Sequence, residues 1–264
     1  MQIREYIPYY KRNLNVALPV MITQAGQVLV QLADNIMVGQ LGAAQLAGIS
    51  FANAVLVIGV VFAIGFSQGI TPIVGQYFGR NEHNQVSKNL CNSIVLNLIL
   101  MIFTTFVMFG VGAKLHLFGQ DPEVLEYARG YYYILTASFI PMIVFNGIRF
   151  FSEGIGNTKY AMWITISTNI LNIFLNWVLI YGKLGAEAMG VDGAALATLI
   201  ARIVAAILFV ALMFIAKEYR QYTLSIKFKD LNFKTIREQL RLSIPISIQS
   251  TLEVTSFSIA AIMV

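Results

Sequence analysis

Residues 14–39 read LNVALPVMITQAGQVLVQLADNIMVG. This run is long and apolar enough to cross the hydrocarbon core of a bilayer, about 30 Å, as one helix. It also contains one acid, Asp34, although a carboxylate inside a membrane helix costs about 2.5 to 3.5 kcal/mol on insertion scales. Because such residues are rarely kept without a function, Asp34 is the first candidate for a functional site.

The composition of the whole chain supports the membrane interpretation. Of the 264 residues, 57% are hydrophobic and 12% are charged, with a mean hydropathy of +0.70, whereas soluble domains carry about 25% charged residues. The sequence therefore predicts an all-α polytopic membrane protein surrounded by lipid bilayer. The net charge of +5 is explained by basic loops, so no nucleic-acid partner is expected.

Apolar runs of spanning length recur along the chain. They cover residues 14–39, 49–74, 89–113, 127–150, 160–182, 191–216 and 242–264. We therefore predict seven membrane helices, grouped as an N-terminal six-helix lobe (1–216), a cytoplasmic linker (217–241) and the first helix of a second lobe (242–264). Four prolines within or at the end of these runs are expected to bend their helices, namely Pro19, Pro72, Pro141 and Pro245.

Lys and Arg residues concentrate in alternate connections, and this pattern predicts the orientation. Short loops rich in Lys and Arg stay in the cytoplasm. The connection at 217–241 is the most basic, and it mixes charged with apolar residues as an amphipathic surface helix does. Its basic residues are Lys217, Arg220, Lys227, Lys229, Lys234, Arg237 and Arg241. We predict a multi-pass protein of the inner (plasma) membrane with its N-terminus in the cytoplasm.

The first and seventh runs align without a gap. Leu14 then meets Leu240, Pro19 meets Pro245, and the triplet Ile-Met-Val at 36–38 meets the same triplet at 262–264. An even number of helices separates the two starts, so the repeats are parallel and related by an axis along the membrane normal. We expect one six-helix lobe and the start of a missing C-terminal lobe; a self-sufficient seven-helix protein is the alternative.

The fifth run carries an asparagine stripe that could serve Asp34. Asn172 and Asn176 are four residues apart and share one helix face. Two amide oxygens and a carboxylate could hold a small hard cation such as Na⁺, or a proton with its waters. Taken alone, the stripe fits ordinary helix packing, but with Asp34 as a charged partner a cation or proton site is favoured. In the sixth run Thr198 offers a further hydroxyl ligand.

Two other intramembrane charges are considered. Glu253 lies near the middle of the seventh run and aligns with Gln27, while the partner of Asp34 in the repeat is Ala260, so the two lobes differ chemically. Arg202 in the sixth run either neutralises an acid or extends to an interface. The sequence shows no serine or cysteine triad, phosphate loop or His-Glu-x-x-His pair, and nothing predicts an enzyme or a bound cofactor.

Several stretches together resemble the multidrug and toxic compound extrusion (MATE) transporters, in particular their NorM-like branch. They are ALP at 17–19, ADNIMVG at 33–39, GITPIVGQYFG at 69–79, LNIFLNW at 171–177 and LEVT at 252–255. The resemblance implies twelve helices in two six-helix bundles. It also implies a secondary antiporter that exports cationic or amphipathic drugs and toxins in exchange for Na⁺ or H⁺.

The resemblance further assigns roles by position. Asp34 is similar to the coupling acid of the family's N-terminal lobe, and Asn172, Asn176 and Thr198 are similar to its neighbours in a cation site. Glu253 is similar to the acid of the seventh helix that belongs to a C-lobe cation site. One alternative is a lipid-linked oligosaccharide or polysaccharide flippase of the same superfamily, which would need several basic residues in its cavity. An intramembrane enzyme is the other.

Overall fold

The computed structural model describes the backbone of residues 7–263 and the side chains of residues 10–256, except those at positions 12 and 228. The described backbone is helical apart from short connections and contains no strand. The helices are α1 (Ile7–Gly39), α2 (Ala43–Gln68), α3 (Ile70–Gly79), α4 (His83–Gly112), α5 (Pro122–Ala137), α6 (Phe139–Gly154), α7 (Lys159–Tyr181), α8 (Gly190–Ile215), α9 (Lys217–Thr223) and α10 (Phe233–Met263). The predicted all-α class is confirmed.

Within the described residues, five helical segments are long and apolar enough to cross a membrane, or six if one bent pair counts as a span. They are Asn13–Gly39, Ala43–Gly79, His83–Gly112, Lys159–Tyr181 and Gly190–Ile215, with the pair Pro122–Ala137 and Phe139–Gly154. Large apolar side chains cover the outside of these helices, and Phe106 on α4 is 79% exposed. Such an exterior suits lipid rather than water.

Two of the spans are interrupted, each a few residues before a proline. Gly69 separates α2 from α3, and Ser138 separates α5 from α6, where the axis bends by 41°. Pro72 and Pro141 then lie in the first turn of the new helix. A proline is tolerated there because its missing N–H would have no intrahelical partner. Of the four predicted bends, the one at Pro141 is thus located at the break just upstream of it, whereas Pro19 and Pro245 lie inside the continuous helices α1 and α10.

The helices enclose two hydrophobic clusters at opposite ends of the bundle. One is built mainly from α2, α5 and the first turns of α8, and the other from α3, α6, α9 and the second half of α8. α7 packs between α1 and α8. A close approach of α7 and α8 depends on Gly193, since a Cβ at this position would lie 2.7 Å from the Leu179 backbone oxygen.

Replacing Gly193 with alanine should therefore lower the melting temperature of the protein in detergent by several degrees, because overpacking a close contact costs about 1 to 3 kcal/mol. Gly110 on α4 is the matched control, since a Cβ there would meet nothing within 4 Å. Thermal unfolding followed by size-exclusion chromatography checks the comparison. Equal melting temperatures for Gly193→Ala and Gly110→Ala would contradict the assigned packing.

The segment predicted as a linker is largely helical, as its amphipathic pattern indicates, and its last helix continues past position 241. It contains α9, a short 3₁₀ turn (Phe228–Asp230) and the first turns of α10, which runs unbroken into the predicted seventh span. Asn232 begins α10 by accepting the Lys234 N–H through its side chain at 2.9 Å. No glycine or proline follows before Pro245, so the amphipathic segment and the seventh span form one helix. The repeat matches at Ala260 and at 262–264 lie outside the described side chains.

The α9 segment is anchored to the six-helix bundle. Tyr219 and Tyr222 are fully buried, and the Tyr219 hydroxyl bonds the Ser152 hydroxyl. Burial raises the pKa of Tyr219 to about 12. In α10, Gln239 Nε2 donates to the Asn89 backbone oxygen on α4 at 2.9 Å. The connection between α8 and α10 is thus fixed to the bundle by buried polar contacts.

Candidate functional site

Asp34 lies in the last part of α1, directly against α7. Its carboxylate accepts a hydrogen bond from Asn176 Nδ2. The two helices approach closely because α1 carries Gly26 at the contact, where a Cβ would lie 3.0 Å from Asn169 Nδ2. Asp34 itself is half-buried, whereas Asn176 is completely buried.

Asn172 extends the contact one helical turn along α7 and connects it to α8. Asn176 Nδ2 lies 3.2 Å from the Asn172 amide, and the Asn172 amide lies 3.3 Å from Thr198 Oγ1. Thr198 Oγ1 in turn donates to the Ala194 backbone oxygen at 3.1 Å. A continuous chain of polar groups therefore runs from Asp34 through two amides to the Thr198 hydroxyl.

The Asn172 amide fits this chain in two orientations. In one, Nδ2 donates to Thr198 Oγ1 and Oδ1 accepts from Asn176. In the other, Nδ2 lies 3.2 Å from Asp34 Oδ1, and Oδ1 accepts from the Thr198 hydroxyl and backbone N–H, each at 3.3 Å. Nδ2 then also lies 3.2 Å from the Asn176 amide nitrogen, so this orientation requires the Asn176 amide to reverse too and to present its oxygen. An amide offers a donor and an acceptor on opposite sides, so the same side chains can support different charge states of Asp34.

One acceptor in this cluster has no protein partner. Asn176 Oδ1 is buried and forms no hydrogen bond within the described part of the chain. A buried polar atom without a partner costs about 1 to 3 kcal/mol. A proton shared with Asp34 after rotation of the amide, a small cation or a water would each remove this cost.

The cluster borders a cavity of about 410 Å³ between six helices, α1, α2, α5, α6, α7 and α8. This volume is within the usual range for small-molecule sites, about 300 to 1,000 Å³. Asp34, Asn172 and Thr198 line the wall, and Asn176 lies behind it. Further polar side chains in the wall are Gln27, Gln31, Asn35, Asn53, Tyr131, Asn146, Thr165, Thr168, Asn169 and Arg202.

The sequence left the role of Arg202 open and gave no reason to select Tyr131. In the structure Arg202 faces the cavity, and its Nη1 donates to Ser138 Oγ at 2.6 Å. The Tyr131 hydroxyl donates to Asn53 Oδ1 at 3.2 Å. Tyr131 lies on α5, the short helix before the Ser138 break, and lines the cavity. A tyrosine in an apolar run carries no sequence signal for this.

Glu253 is separate from this cluster. It lies on α10 with an exposed side chain and does not line the cavity. Its neighbours Thr251, Val254 and Thr255 border a different, small pocket against α2, about 70 Å³ in volume. The structure thus brings together four of the five predicted site residues and leaves the fifth on another surface.

The cluster is suited to binding one small cation or proton through oxygen atoms. It offers one carboxylate, two amide oxygens and one hydroxyl, all ligands that hard cations accept. In the described part of the chain, no group of three or more His, Cys, Asp and Glu side chains could hold a metal ion.

Comparison with known proteins relates the chain to membrane transporters. The family model described as MatE matches residues 19–178. A probable multidrug resistance protein NorM from Rhizobium meliloti (strain 1021) is 29% identical over 255 residues, covering 97% of this chain and 55% of the relative. The chain thus spans about half the length of the curated relatives it matches.

Solved structures give the same relation. An outward-facing multidrug resistance MATE family transporter of the MOP superfamily matches with a TM-score of 0.83 at 27% identity, covering 96% of this chain and 54% of that one. A MOP superfamily transporter from Pyrococcus furiosus, described as having a binding pocket of reverse polarity that suggests a different function, matches with a TM-score of 0.83 at 26% identity. This match covers 96% of the chain and 54% of its counterpart.

Proposed function

The chain belongs to the MatE family of membrane transporters, which are not enzymes, and from this we propose that it is part of an antiporter that exports cationic or amphipathic compounds. Inward movement of Na⁺ or H⁺ would drive the export. Because the chain spans about half the length of its relatives, we further propose that transport requires a second lobe. The 264 residues alone are then expected to be inactive.

The observation that carries the proposal is the position of Asp34. It is the acid in the described wall of the cavity, and it is bonded to a buried amide whose oxygen has no partner. Protonation would let Asp34 donate to the Asn176 oxygen once the side-chain amides of Asn172 and Asn176 have both rotated to exchange their nitrogen and oxygen positions. Na⁺ would instead draw the carboxylate and amide oxygens toward itself.

Coupling follows if binding of the ion and retention of the substrate oppose each other. An ionised Asp34 attracts a cationic substrate, and a protonated or Na⁺-bound Asp34 does not. Shifting an equilibrium between two conformations from 1:99 to 99:1 needs a differential affinity of about 5.5 kcal/mol. Neutralising one carboxylate in a cavity of low dielectric constant supplies interaction energies of several kcal/mol, so the cluster is sufficient in magnitude.

Everted membrane vesicles that contain the complete protein test the function. Imposing a Na⁺ gradient or a pH gradient should drive ethidium into the vesicles above the level of vesicles without the protein. Which gradient works identifies the coupling ion. Failure of both gradients, with the protein present in the membrane, would refute the proposed antiport.

A flippase for lipid-linked sugars is the alternative, and the cavity argues against it. Such a substrate carries a diphosphate, which several Lys or Arg residues would bind. Arg202 is the basic side chain in the described cavity wall. Its single charge fits a smaller anionic group better than a diphosphate.

The orientation proposed above also has a direct test. Lys183 lies in the loop between α7 and α8, Glu218 lies in α9, and both are exposed, whereas the native Cys91 is buried. In intact cells a membrane-impermeant maleimide should label Lys183→Cys. It should label Glu218→Cys only after the cells are permeabilised. The reverse pattern would place the N-terminus outside the cytoplasm.

A further inference from the structure

The cavity carries a second charge that the coupling step does not use. Asp34 and Arg202 are the charged side chains in its described wall, and the other lining residues are neutral. With Asp34 ionised, the wall therefore has one anion and one cation and no net charge. A cavity of this kind presents a dipole to its ligand.

The guanidinium of Arg202 is largely free to bind a ligand. Nη1 donates to Ser138 Oγ at 2.6 Å, but its other N–H groups meet no acceptor among the described residues. Asp34 forms no ion pair with it in the same part of the chain. An arginine presents five donors in a planar fork that matches a carboxylate by two parallel hydrogen bonds. The unused edge of Arg202 is such a fork.

The two charges act differently on different ligands. A ligand with a single positive charge is attracted by Asp34 and repelled by Arg202, so the two effects partly cancel. A ligand with a cationic and an anionic group gains from both when each group faces its opposite. These interactions are stronger in a cavity of lower dielectric constant than in water. The wall therefore discriminates by the arrangement of charge on the ligand.

We propose that this cavity selects zwitterionic amphiphiles, with a carboxylate of the substrate bound by Arg202 and its cationic group facing Asp34. The inference rests on the proposed export function and adds the substrate class to it. Arg202 is then a residue that determines specificity by touching the substrate. Its hydrogen bond to Ser138 positions the guanidinium at the break between α5 and α6.

Binding of a matched pair of dyes tests the proposal. Rhodamine B is a zwitterion at neutral pH, and its ethyl ester keeps the cationic ring but lacks the carboxylate. Fluorescence anisotropy with the purified complete protein in detergent gives a dissociation constant for each dye. The wild type should prefer rhodamine B. Arg202→Gln should reduce this preference by about tenfold or more, the effect of losing hydrogen bonds between charged groups.

Two further variants separate recognition from structure. Arg202→Lys keeps the charge and should keep part of the preference, while losing the planar fork. Ser138→Ala removes the hydrogen bond that positions the Arg202 guanidinium but keeps its charge and its planar fork, so it should reduce the preference for rhodamine B less than Arg202→Gln does. If Arg202→Gln leaves the preference for rhodamine B unchanged, for example by weakening the binding of both dyes equally, Arg202 has a structural role and the inference is wrong.

The result is independent of the transport assay. Ethidium uptake driven by a gradient, with no Arg202-dependent preference between the two rhodamines, would overturn this inference and leave the proposed antiport standing. An Arg202-dependent preference without gradient-driven uptake of ethidium or rhodamine B would overturn the antiport. It would still support a zwitterion site in the cavity.

Discussion

Replacing Asp34 with asparagine should abolish ion-driven efflux while the protein still folds and inserts. Asparagine has the same shape and can still bond Asn176, but it can neither release a proton nor offer a negative charge to Na⁺. Removing a charge from a membrane helix also lowers the cost of insertion. Ethidium uptake into everted vesicles under the active gradient should fall to the level of vesicles without the protein.

The matched control for this variant is Glu126→Gln. Glu126 is an exposed acid near the start of α5, and it undergoes the same chemical change away from the cavity. Its uptake should equal that of the wild type. Normal drug resistance in cells that carry Asp34→Asn would refute the assigned role of Asp34.

The second large effect is expected from Asn176→Ala. This substitution removes the amide that bonds the Asp34 carboxylate directly and also the oxygen that has no protein partner. Hydrogen bonds to charged groups contribute about 1.5 to 3 kcal/mol. The concentration of coupling ion that gives half-maximal uptake should therefore change by about tenfold to a hundredfold.

Thr198→Val provides the graded comparison, since valine has the shape of threonine without its hydroxyl. Thr198 lies at the far end of the polar chain, where it contacts Asn172 and not Asp34. The loss of one neutral hydrogen bond costs about 1 kcal/mol. It should change the concentration of coupling ion that gives half-maximal uptake several-fold. An effect equal to or larger than that of Asn176→Ala would mean that the chain of contacts does not transmit ion binding as described.

The sequence was sufficient to find the α7 part of the cluster. Helical spacing alone places Asn172 and Asn176 on one face, and the cost of Asp34 in a membrane predicts polar neighbours for it. The structure places these residues in contact. Their roles in ion binding remain predictions, as do those of Thr198 and Glu253.

The rest of the cavity could not be derived from the sequence because it depends on how distant helices are turned. Arg202 lies on α8 and Tyr131 on α5, and both line the cavity. Arg202 also bonds Ser138 at the break between α5 and α6, where the axis bends by 41°. Glu253 illustrates the same limit, since its depth in the run gave no information about which way α10 faces. The spacing of residues in the sequence shows which side chains share one face of a helix. Which other helix packs against that face depends on the tertiary structure.

The seventh span shows a different limit. Charge and hydropathy separated residues 217–241 from the apolar run that follows, but α10 continues through that boundary. Composition reports which residues can contact lipid, and helix ends depend on caps, glycines and prolines. The cap at Asn232 is the signal that could have located the true start of this helix.

The most direct test of the account measures ethidium binding to the purified complete protein as the coupling ion is added. Because coupling between two ligands is reciprocal, Na⁺ or acidification should raise the apparent dissociation constant of ethidium in the wild type. In Asp34→Asn the constant should not depend on either ion. A wild-type constant that ignores both ions, or an Asp34→Asn constant that responds as the wild type does, would contradict the assignment of Asp34 as the coupling residue.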